Sequence, residues 1–271
     1  MSEYIQDNEE WRLSADENLR KENSWLSLAG LYWLNEGENS FGTDISNNIV
    51  LPPGSGAGRM GVFDLKDHQV IINVEEDVDL TIDGENVQKK ILQPDLSGTP
   101  TEISFEHLTM ILIERDDGLG IRLWDNQRSE RVNFSGRVWF PIDERYLVEG
   151  TYTPFDEDLD LVMKRKNGAD MQDQAQGQIN FQLDGQELSL LAFEQEDGSL
   201  FILFLDQTSG KESYPAGRYL LVAPPKGGSV EIDFNRAYNP PCAFTDFATC
   251  PLPPAQNRLH VAILAGEKHN L

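Results

Sequence analysis

Apolar and polar residues alternate in short stretches along most of this chain, and the stretches end at turn signals. Ile179, Phe181 and Leu183 alternate before Asp184-Gly185, and Val78, Leu80 and Ile82 alternate before Asp83-Gly84. Two more Asp-Gly steps, Asp117-Gly118 and Asp197-Gly198, adjoin the apolar runs Leu108–Ile113 and Leu200–Leu205. A period of two indicates strands with one buried face, and Asp-Gly favours tight antiparallel hairpins. No regular strand–helix–strand alternation is present, so we predict an all-β chain of antiparallel sandwiches or barrels.

The chain ends and two polar stretches predict its organisation. Residues 3–22 contain few apolar side chains, which predicts a short N-terminal helix packed loosely on the surface. A break is predicted near 125–135, and the polar, glycine-bearing stretch 167–177 is predicted to be a mobile loop. We therefore expect an N-terminal helix and lead-in strand over 1–34, a β-sandwich over 35–128, and a C-terminal β domain over 129–271.

The composition adds a strong negative charge to this picture. The 271 residues carry 46 Asp and Glu against 22 Lys and Arg, a net charge of −24. Such a charge repels phosphate backbones and anionic lipid, so nucleic acid and membranes are not expected partners. Neither a signal peptide nor an apolar run longer than six residues is visible, which predicts a cytoplasmic protein. Dispersed carboxylates with few lysines are typical of proteins in concentrated salt, so we favour a halophile's cytosol over an ordinary acidic protein.

Cys242 and Cys250 are the two cysteines of the chain. Their spacing matches no common zinc knuckle, and the four histidines form no ligand-spaced cluster, so no metal or other cofactor is predicted. Two buried thiols are the favoured interpretation. A disulfide, a metal site and a reactive thiol stay open as alternatives.

The first half carries short motifs of a known sandwich. Phe41-Gly42-Thr43-Asp44 leads into Asn48-Ile49-Val50-Leu51-Pro52, and a later hairpin reads Leu80-Thr81-Ile82-Asp83-Gly84. This order resembles a forkhead-associated (FHA) domain over about 35–125, which implies an FHA-like antiparallel sandwich. Thr43 stands where that family places its phosphate-binding arginine, and the second loop reads Gly54–Arg59. The resemblance therefore implies a sandwich that has lost the phosphothreonine grip.

Longer motifs extend the resemblance to nearly the whole chain. Trp25–Leu34, Ile121–Asp125, Asp233–Phe244 and Cys250–Pro254 follow one another, and Asn257-Arg258-Leu259 and Ala265-Gly266-Glu267 close the series. Together they resemble domain of unknown function family 1684, a family of bacterial and archaeal proteins. That resemblance implies kinship without implying an activity.

The region 206–267 concentrates polar side chains around proline pairs. Proline lacks the N–H that a strand ladder needs, so Asn239–Cys250 is predicted to be an ordered loop, and such loops on rigid sheets often carry sites. The candidate ligand-binding residues, which offer amide, phenol and guanidinium groups, are Arg122, Tyr214, Arg218, Asn235, Asn239 and Asn257. Cys242, as a thiol nucleophile, and Glu267, as a base or counter-ion, are the catalytic candidates.

Several interpretations of this region compete. In the favoured one, residues such as Asp233, Asn235 and Asn257 satisfy the backbone of the loop. In another, the candidates line a pocket in the C-terminal β domain for a small polar or anionic ligand, with hydrolytic chemistry as an option. The alternative function is a non-enzymatic FHA-like interaction module. No Gly-x-Ser-x-Gly, P-loop or His-Glu-x-x-His motif narrows the choice, so enzymatic activity, ligand identity and oligomeric state stay open.

Overall fold

A computed structural model describes residues 2–116 and 118–269 of the chain. Within them the chain forms two α-helices and sixteen strands, with short 3₁₀ turns between them. In chain order these elements are α1 (Glu3–Arg20), β1 (Leu28–Trp33), β2 (Gly37–Gly42), β3 (Ile49–Val50), β4 (Gly61–Lys66), β5 (Gln69–Val74), β6 (Thr81–Ile82), β7 (Lys89–Ile91), β8 (Glu102–Phe105), β9 (Leu108–Arg115), β10 (Gly118–Asp125), α2 (Ser129–Val132), β11 (Leu147–Lys164), β12 (Asp170–Leu183), β13 (Gln186–Glu194), β14 (Leu200–Phe204), β15 (Arg218–Val222) and β16 (Ser229–Asp233). The predicted all-β class is confirmed.

The N-terminal unit, Leu19–Phe134, contains two five-stranded sheets. One has the order β1-β10-β9-β8-β6 and the other β3-β2-β4-β5-β7. Phe41 and Phe63 of the second sheet share one buried cluster with Ile103 and Ile121 of the first, so the unit is a sandwich. Because β1 pairs with β10, the strand expected to lead into the sandwich belongs to it, and the unit begins well before residue 35.

The C-terminal unit combines residues up to Asn18 with those from Ser135 onward. Its six-stranded antiparallel sheet has the order β15-β14-β13-β12-β11-β16, and the two edge strands come into contact. Inward residues of β12, β14 and β16, among them Ile179, Ile202 and Ile232, form its main core with Phe234. The segment that follows β16 contributes Leu259, Val261 and Ile263 to the same core.

Two of the four Asp-Gly steps form the turns that their sequence predicts, whereas at Asp197-Gly198 only the glycine has a positive φ. Asp184 and Gly185 have φ values of 51° and 76° between β12 and β13, and Asp83 and Gly84 have similar values of 51° and 77°. Positive φ at both central positions gives the tight turn that matches strand twist. Asp117 lies outside the described residues.

The predicted mobile loop at 167–177 is wrong. β12 begins at Asp170, and residues 170–175 pair with Leu159–Lys164 of β11. The inward positions of this stretch include Ala175 and Gly177, which carry too little apolar surface to show a strand pattern. A Cβ on Gly177 would lie 2.5 Å from the Tyr152 ring, so the small residue is required by packing within the strand.

The N-terminal helix is present, but the expectation that it packs loosely is wrong. The Tyr4 hydroxyl donates to Asp233 at 2.8 Å, and the fully buried Asn8 donates to the same carboxylate at 3.2 Å. Arg12 donates to the carbonyl of Phe140 at 3.1 Å. These anchors are polar, so the low apolar content of α1 does not reveal them.

Candidate functional site

The segment Asn239–Cys250, called the cysteine loop below, is irregular as its prolines predict. Pro240 precedes a 3₁₀ turn over Pro241–Ala243, and no named strand includes any of its residues. Its carbonyls are bound by groups from distant parts of the C-terminal unit. The Cys242 carbonyl accepts from the Lys166 ammonium at 3.1 Å and from the Tyr214 hydroxyl at 2.6 Å. The loop is therefore held by side chains from the segments that connect β11 to β12 and β14 to β15.

The two cysteines contact each other inside this loop. Both are buried and free, and the Cys242 N–H donates to the Cys250 sulfur at 3.1 Å. The hydrogen bond from the Cys250 thiol lowers the pKa of Cys242 to about 7 against the effect of burial, and Tyr214 and Lys166 act in the same direction. The same thiol–thiol contact, together with burial, raises the pKa of Cys250. The pair therefore divides into one thiol that ionises readily and one that stays protonated.

Lys166 and Tyr214 form the entrance to the pair. The Lys166 side chain is 38% exposed, and its ammonium lies 3.7 Å from the Asp246 carboxylate and 5.8 Å from the centre of the Tyr214 ring. Burial opposes the charge on Lys166, but its contact with Tyr214 raises the pKa overall. The His269 ring packs edge-on against Tyr214, with 5.1 Å between ring centroids. This entrance carries positive charge in a protein whose surface is mostly acidic.

Glu267 anchors the start of the cysteine loop. Its carboxylate accepts from the backbone and side-chain amides of Asn239 at 2.8 and 2.9 Å, and Arg137 Nε lies 3.6 Å away. Arg137 Nε is also 3.7 Å from Asp16 Oδ1. Burial raises the pKa of Glu267 to about 7 although Arg137 and Asn239 oppose the shift. Glu267 thus titrates near neutrality in a position where it holds the loop.

The raised pKa of Glu267 predicts a pH-dependent stability. Between its ordinary value of 4.5 and about 7, the unfolded chain has lost the Glu267 proton while the folded chain keeps it. Folding therefore takes up a proton, and stability falls with rising pH in this window by up to about 1.4 kcal/mol per pH unit. Urea unfolding at pH 5, 6, 7 and 8 in constant KCl should show a flatter dependence for Glu267→Gln. Glu231→Gln, at an exposed position, should keep the wild-type slope; equal slopes for wild type and Glu267→Gln would contradict the assignment.

Comparison with known proteins places the chain in a family. The sequence profile described as Protein of unknown function (DUF1684) matches residues 132–268, just over half of the chain. The chain belongs to DUF1684. The match includes the whole cysteine loop together with Arg137, Lys166, Tyr214 and Glu267, so the site lies in the part of this DUF1684 protein that defines its family.

One solved structure similar to this DUF1684 protein is the solution NMR structure of an uncharacterized protein of Haloarcula marismortui. The two are 36% identical over 51% of this chain and 79% of that chain, with a TM-score of 0.43. No curated protein matches the sequence. The comparisons thus identify the family of this chain and assign it no activity.

Arg218 and Asn257 have internal roles rather than the predicted place in a ligand pocket. Arg218 is fully buried, pairs with Asp206 at 2.7 Å, and donates to the carbonyls of Ile263 and Ala265. Asn257 is also fully buried and links β13 to β14, because its amide bonds both backbone groups of Leu191 and the carbonyl of Leu203. Neither side chain reaches the surface. The amide of Asn257 binds the backbone of the sheet, and the guanidinium of Arg218 binds the chain near its C-terminal end.

Asn235 and Arg122 make contacts that do not involve the cysteine loop. The fully buried Asn235 exchanges hydrogen bonds with the backbone of Asp143 at 3.0 and 2.9 Å, and its neighbour Arg236 pairs with Asp233 at 3.5 Å. Arg122 belongs to β10 of the N-terminal unit, where its guanidinium lies 5.9 Å from the centre of the Trp124 ring. Of the predicted site residues, Asn239 and Cys242 lie in the loop, and Tyr214 and Glu267 are hydrogen-bonded to it.

The pocket expected from Arg122, Arg218, Tyr214 and the loop does not coincide with the open concavities along the β11–β12 hairpin. Three open concavities, with volumes of about 600, 480 and 420 Å³, lie along the β11–β12 hairpin and its neighbours. They are lined by acidic, amide and apolar residues such as Asp160, Gln174 and Leu161.

No group of three or more His, Cys, Asp and Glu within the described chain is arranged to hold a metal ion. Among these residues, no helix has both the length and the apolar character to span a bilayer.

Lys166 and Arg137 are the site residues that sequence reasoning missed. Lys166 is 76 positions from Cys242 and precedes the stretch predicted to be a loop. Arg137 is outside every motif discussed for the site, and it meets Glu267 across 130 residues of chain. No local spacing could have joined Lys166 to the cysteine loop, because the chain after β11 pairs there with residues 250–252, and the Lys166 N–H donates to the Cys250 carbonyl at 3.0 Å.

Proposed function

We propose that the C-terminal unit binds a small polar or anionic ligand at the entrance formed by Lys166 and Tyr214. The observation that carries the proposal is the partly exposed Lys166 ammonium, which is fixed by the Cys242 carbonyl beside an ionisable thiol. An ammonium has three donors, and only one is used by this carbonyl. Tyr214 is a second hydrogen-bond partner of the ammonium. The Asp246 carboxylate lies 3.7 Å away on a side chain that is 95% exposed, so an anionic ligand could take its place.

Hydrolytic chemistry at this entrance would use Cys242 as its nucleophile. A thiol with a pKa of about 7 is about half ionised at neutral pH, and thiolates rather than thiols attack electrophilic carbon. Lys166 would hold the anionic part of the substrate next to that sulfur. Within the described chain, however, no histidine is hydrogen-bonded to Cys242, so ligand binding is the better supported half of the proposal.

Substitution of Lys166 tests the ligand site. Titration with inorganic phosphate, sulfate or acetate, at an ionic strength held constant with KCl, should raise the melting temperature of the wild type for at least one anion. Lys166→Met should abolish this shift because the donor is lost. Lys164→Met is the matched control, since Lys164 lies two residues away and pairs with Asp170. An equal shift in Lys166→Met and the wild type would contradict the site.

A second candidate function is an FHA-like interaction module in the N-terminal sandwich. Its two loops lie side by side, because the backbone N–H groups of Thr43 and Asp44 donate to Ala57 and Gly58 at 3.0 and 2.9 Å. Thr43 uses its hydroxyl on loop carbonyls, and Arg59 pairs with Glu75 at 3.1 Å, which supports a module without the phosphothreonine grip. Specific peptide binding that is lost on Arg59→Ala would favour this module over the ligand site, and binding that requires phosphothreonine would show that the grip is retained.

We also propose that the protein works in the salt-rich cytosol of a halophile. Acidic residues outnumber basic ones by 46 to 22 and are spread along the chain. Concentrated salt would screen their repulsion over a few ångströms. The similar protein described above comes from a halophile, which supports the same environment for this chain.

A further inference from the structure

We infer that Cys242 and Cys250 are a peroxide-reactive dithiol, which hydrogen peroxide converts to an intramolecular disulfide. The inference begins with the contact between the two residues: the Cys250 sulfur lies 3.1 Å from the Cys242 nitrogen, and the two thiols are hydrogen-bonded to each other. Both are buried, in contact with each other and unbridged. The pair needs no ligand, so the inference goes beyond the proposed function and stands without it.

The surroundings assign different roles to the two sulfurs. Cys242 has the Tyr214 hydroxyl and the Lys166 ammonium bound to its own carbonyl, so donors and positive charge surround its thiolate. The Cys250 thiol is the donor in the hydrogen bond to the Cys242 sulfur. It lies near the Tyr219 hydroxyl, which donates to the Pro251 carbonyl at 2.8 Å. Cys242 is therefore the attacking sulfur, and Cys250 is the thiol that completes the disulfide.

The chemistry balances with hydrogen peroxide as the only co-reactant. The Cys242 thiolate attacks one peroxide oxygen, the O–O bond breaks, and Cys242 becomes a sulfenic acid while hydroxide leaves. The Cys250 sulfur then attacks the sulfenic sulfur, the S–O bond breaks, and its proton leaves with the hydroxyl as water. Two electrons pass from the two sulfurs to the peroxide, so two thiols and one peroxide give one disulfide and two waters.

The loop around the cysteines is suited to this reaction. Pro240, Pro241 and Pro251 flank the two residues and restrict the backbone, so the sulfurs are kept together rather than brought together by chance. The Lys166 side chain, whose ammonium binds the Cys242 carbonyl, is 38% exposed, so solvent reaches the edge of the loop at this point. A larger oxidised thiol, such as a disulfide reagent, would meet the buried sulfurs more slowly.

Intact-mass measurement on the full native chain tests the inference. The protein is treated with a small excess of hydrogen peroxide at pH 8, quenched, unfolded and alkylated with iodoacetamide. We expect a loss of two hydrogens, no alkylation and full recovery of both alkylation sites after dithiothreitol. Survival of both free thiols until the chain is unfolded, or formation of disulfide-linked dimers instead, would overturn the inference.

Single variants separate the two roles. In Cys250→Ser the reaction should stop at the sulfenic acid, so dimedone should label Cys242. In Cys242→Ser the remaining Cys250 should not react over the same period. Tyr214→Phe leaves both thiols in place and should slow disulfide formation several-fold at pH 7 but not at pH 9, where Cys242 is ionised without help. A rate unaffected by pH in the wild type would contradict the attacking role of Cys242. Circular dichroism on each variant confirms that it is folded.

Discussion

Replacing Arg218 with methionine is expected to lower the free energy of unfolding by about 3–5 kcal/mol. The guanidinium and the Asp206 carboxylate are both fully buried, with 2.7 Å between Nη2 and Oδ2. Removal of the guanidinium leaves a buried carboxylate without its counter-ion and two carbonyls, of Ile263 and Ala265, without their donor. Urea unfolding in constant KCl measures the loss.

Two further variants test whether the loss of stability comes from burial of the unpaired charge. Adding Asp206→Asn to Arg218→Met should recover part of the stability, because the uncompensated charge disappears while an oxygen still accepts from Thr208 N–H. Arg59→Met is the matched control: Arg59 and Glu75 are about half exposed, and an exposed pair contributes less than about 1 kcal/mol. A cost for Arg218→Met no greater than that for Arg59→Met would refute the structural role of this pair.

Raising KCl from dilute buffer to 2 M should increase the melting temperature by an amount on the order of 10 °C. The physical reason is repulsion among neighbouring carboxylates, as on the exposed residues Asp156, Glu157, Asp158 and Asp160 of β11. Each close like-charge pair costs some tenths of a kcal/mol, and with many such pairs the sum reaches several kcal/mol. Most of the increase should occur below about 1 M, where the screening length has already fallen to about 3 Å.

Neutralising part of the β11 charge separates screening from other salt effects. The triple variant Asp156→Asn, Asp158→Asn and Asp160→Asn should melt at a higher temperature than the wild type in dilute buffer. The increase in its melting temperature on addition of KCl should be smaller, because fewer carboxylates remain to be screened. Differential scanning calorimetry measures both quantities. A melting temperature that does not change between dilute buffer and 2 M KCl would contradict the proposal that the protein works in a salt-rich cytosol.

Much of the site could not be predicted because its contacts join distant parts of the chain. The proline pairs correctly excluded a β-strand at 239–250. Asn239 and Cys242 lie in that loop, and Tyr214 and Glu267 are hydrogen-bonded to it. Arg218 and Asn257 carried the same chemical signal as these residues, yet both are fully buried and bind backbone carbonyls. A polar side chain looks the same in a sequence whether it faces a ligand or satisfies a buried carbonyl.

The sequence by itself determined the local structure, where a residue's neighbours in the chain decide its conformation. Asp184-Gly185 sets a tight turn because both residues accept positive φ, and alternation at Ile179–Leu183 sets a strand with one buried face. The motifs of the last 140 residues likewise determined the family. Only the tertiary structure decided that the polar run after Asp170 is a strand and that Lys166 meets Cys242. The first depends on the pairing of β12 with β11, and the second on the pairing of the chain after β11 with residues 250–252. Such pairings join separate segments of the chain and leave no periodic pattern in either one.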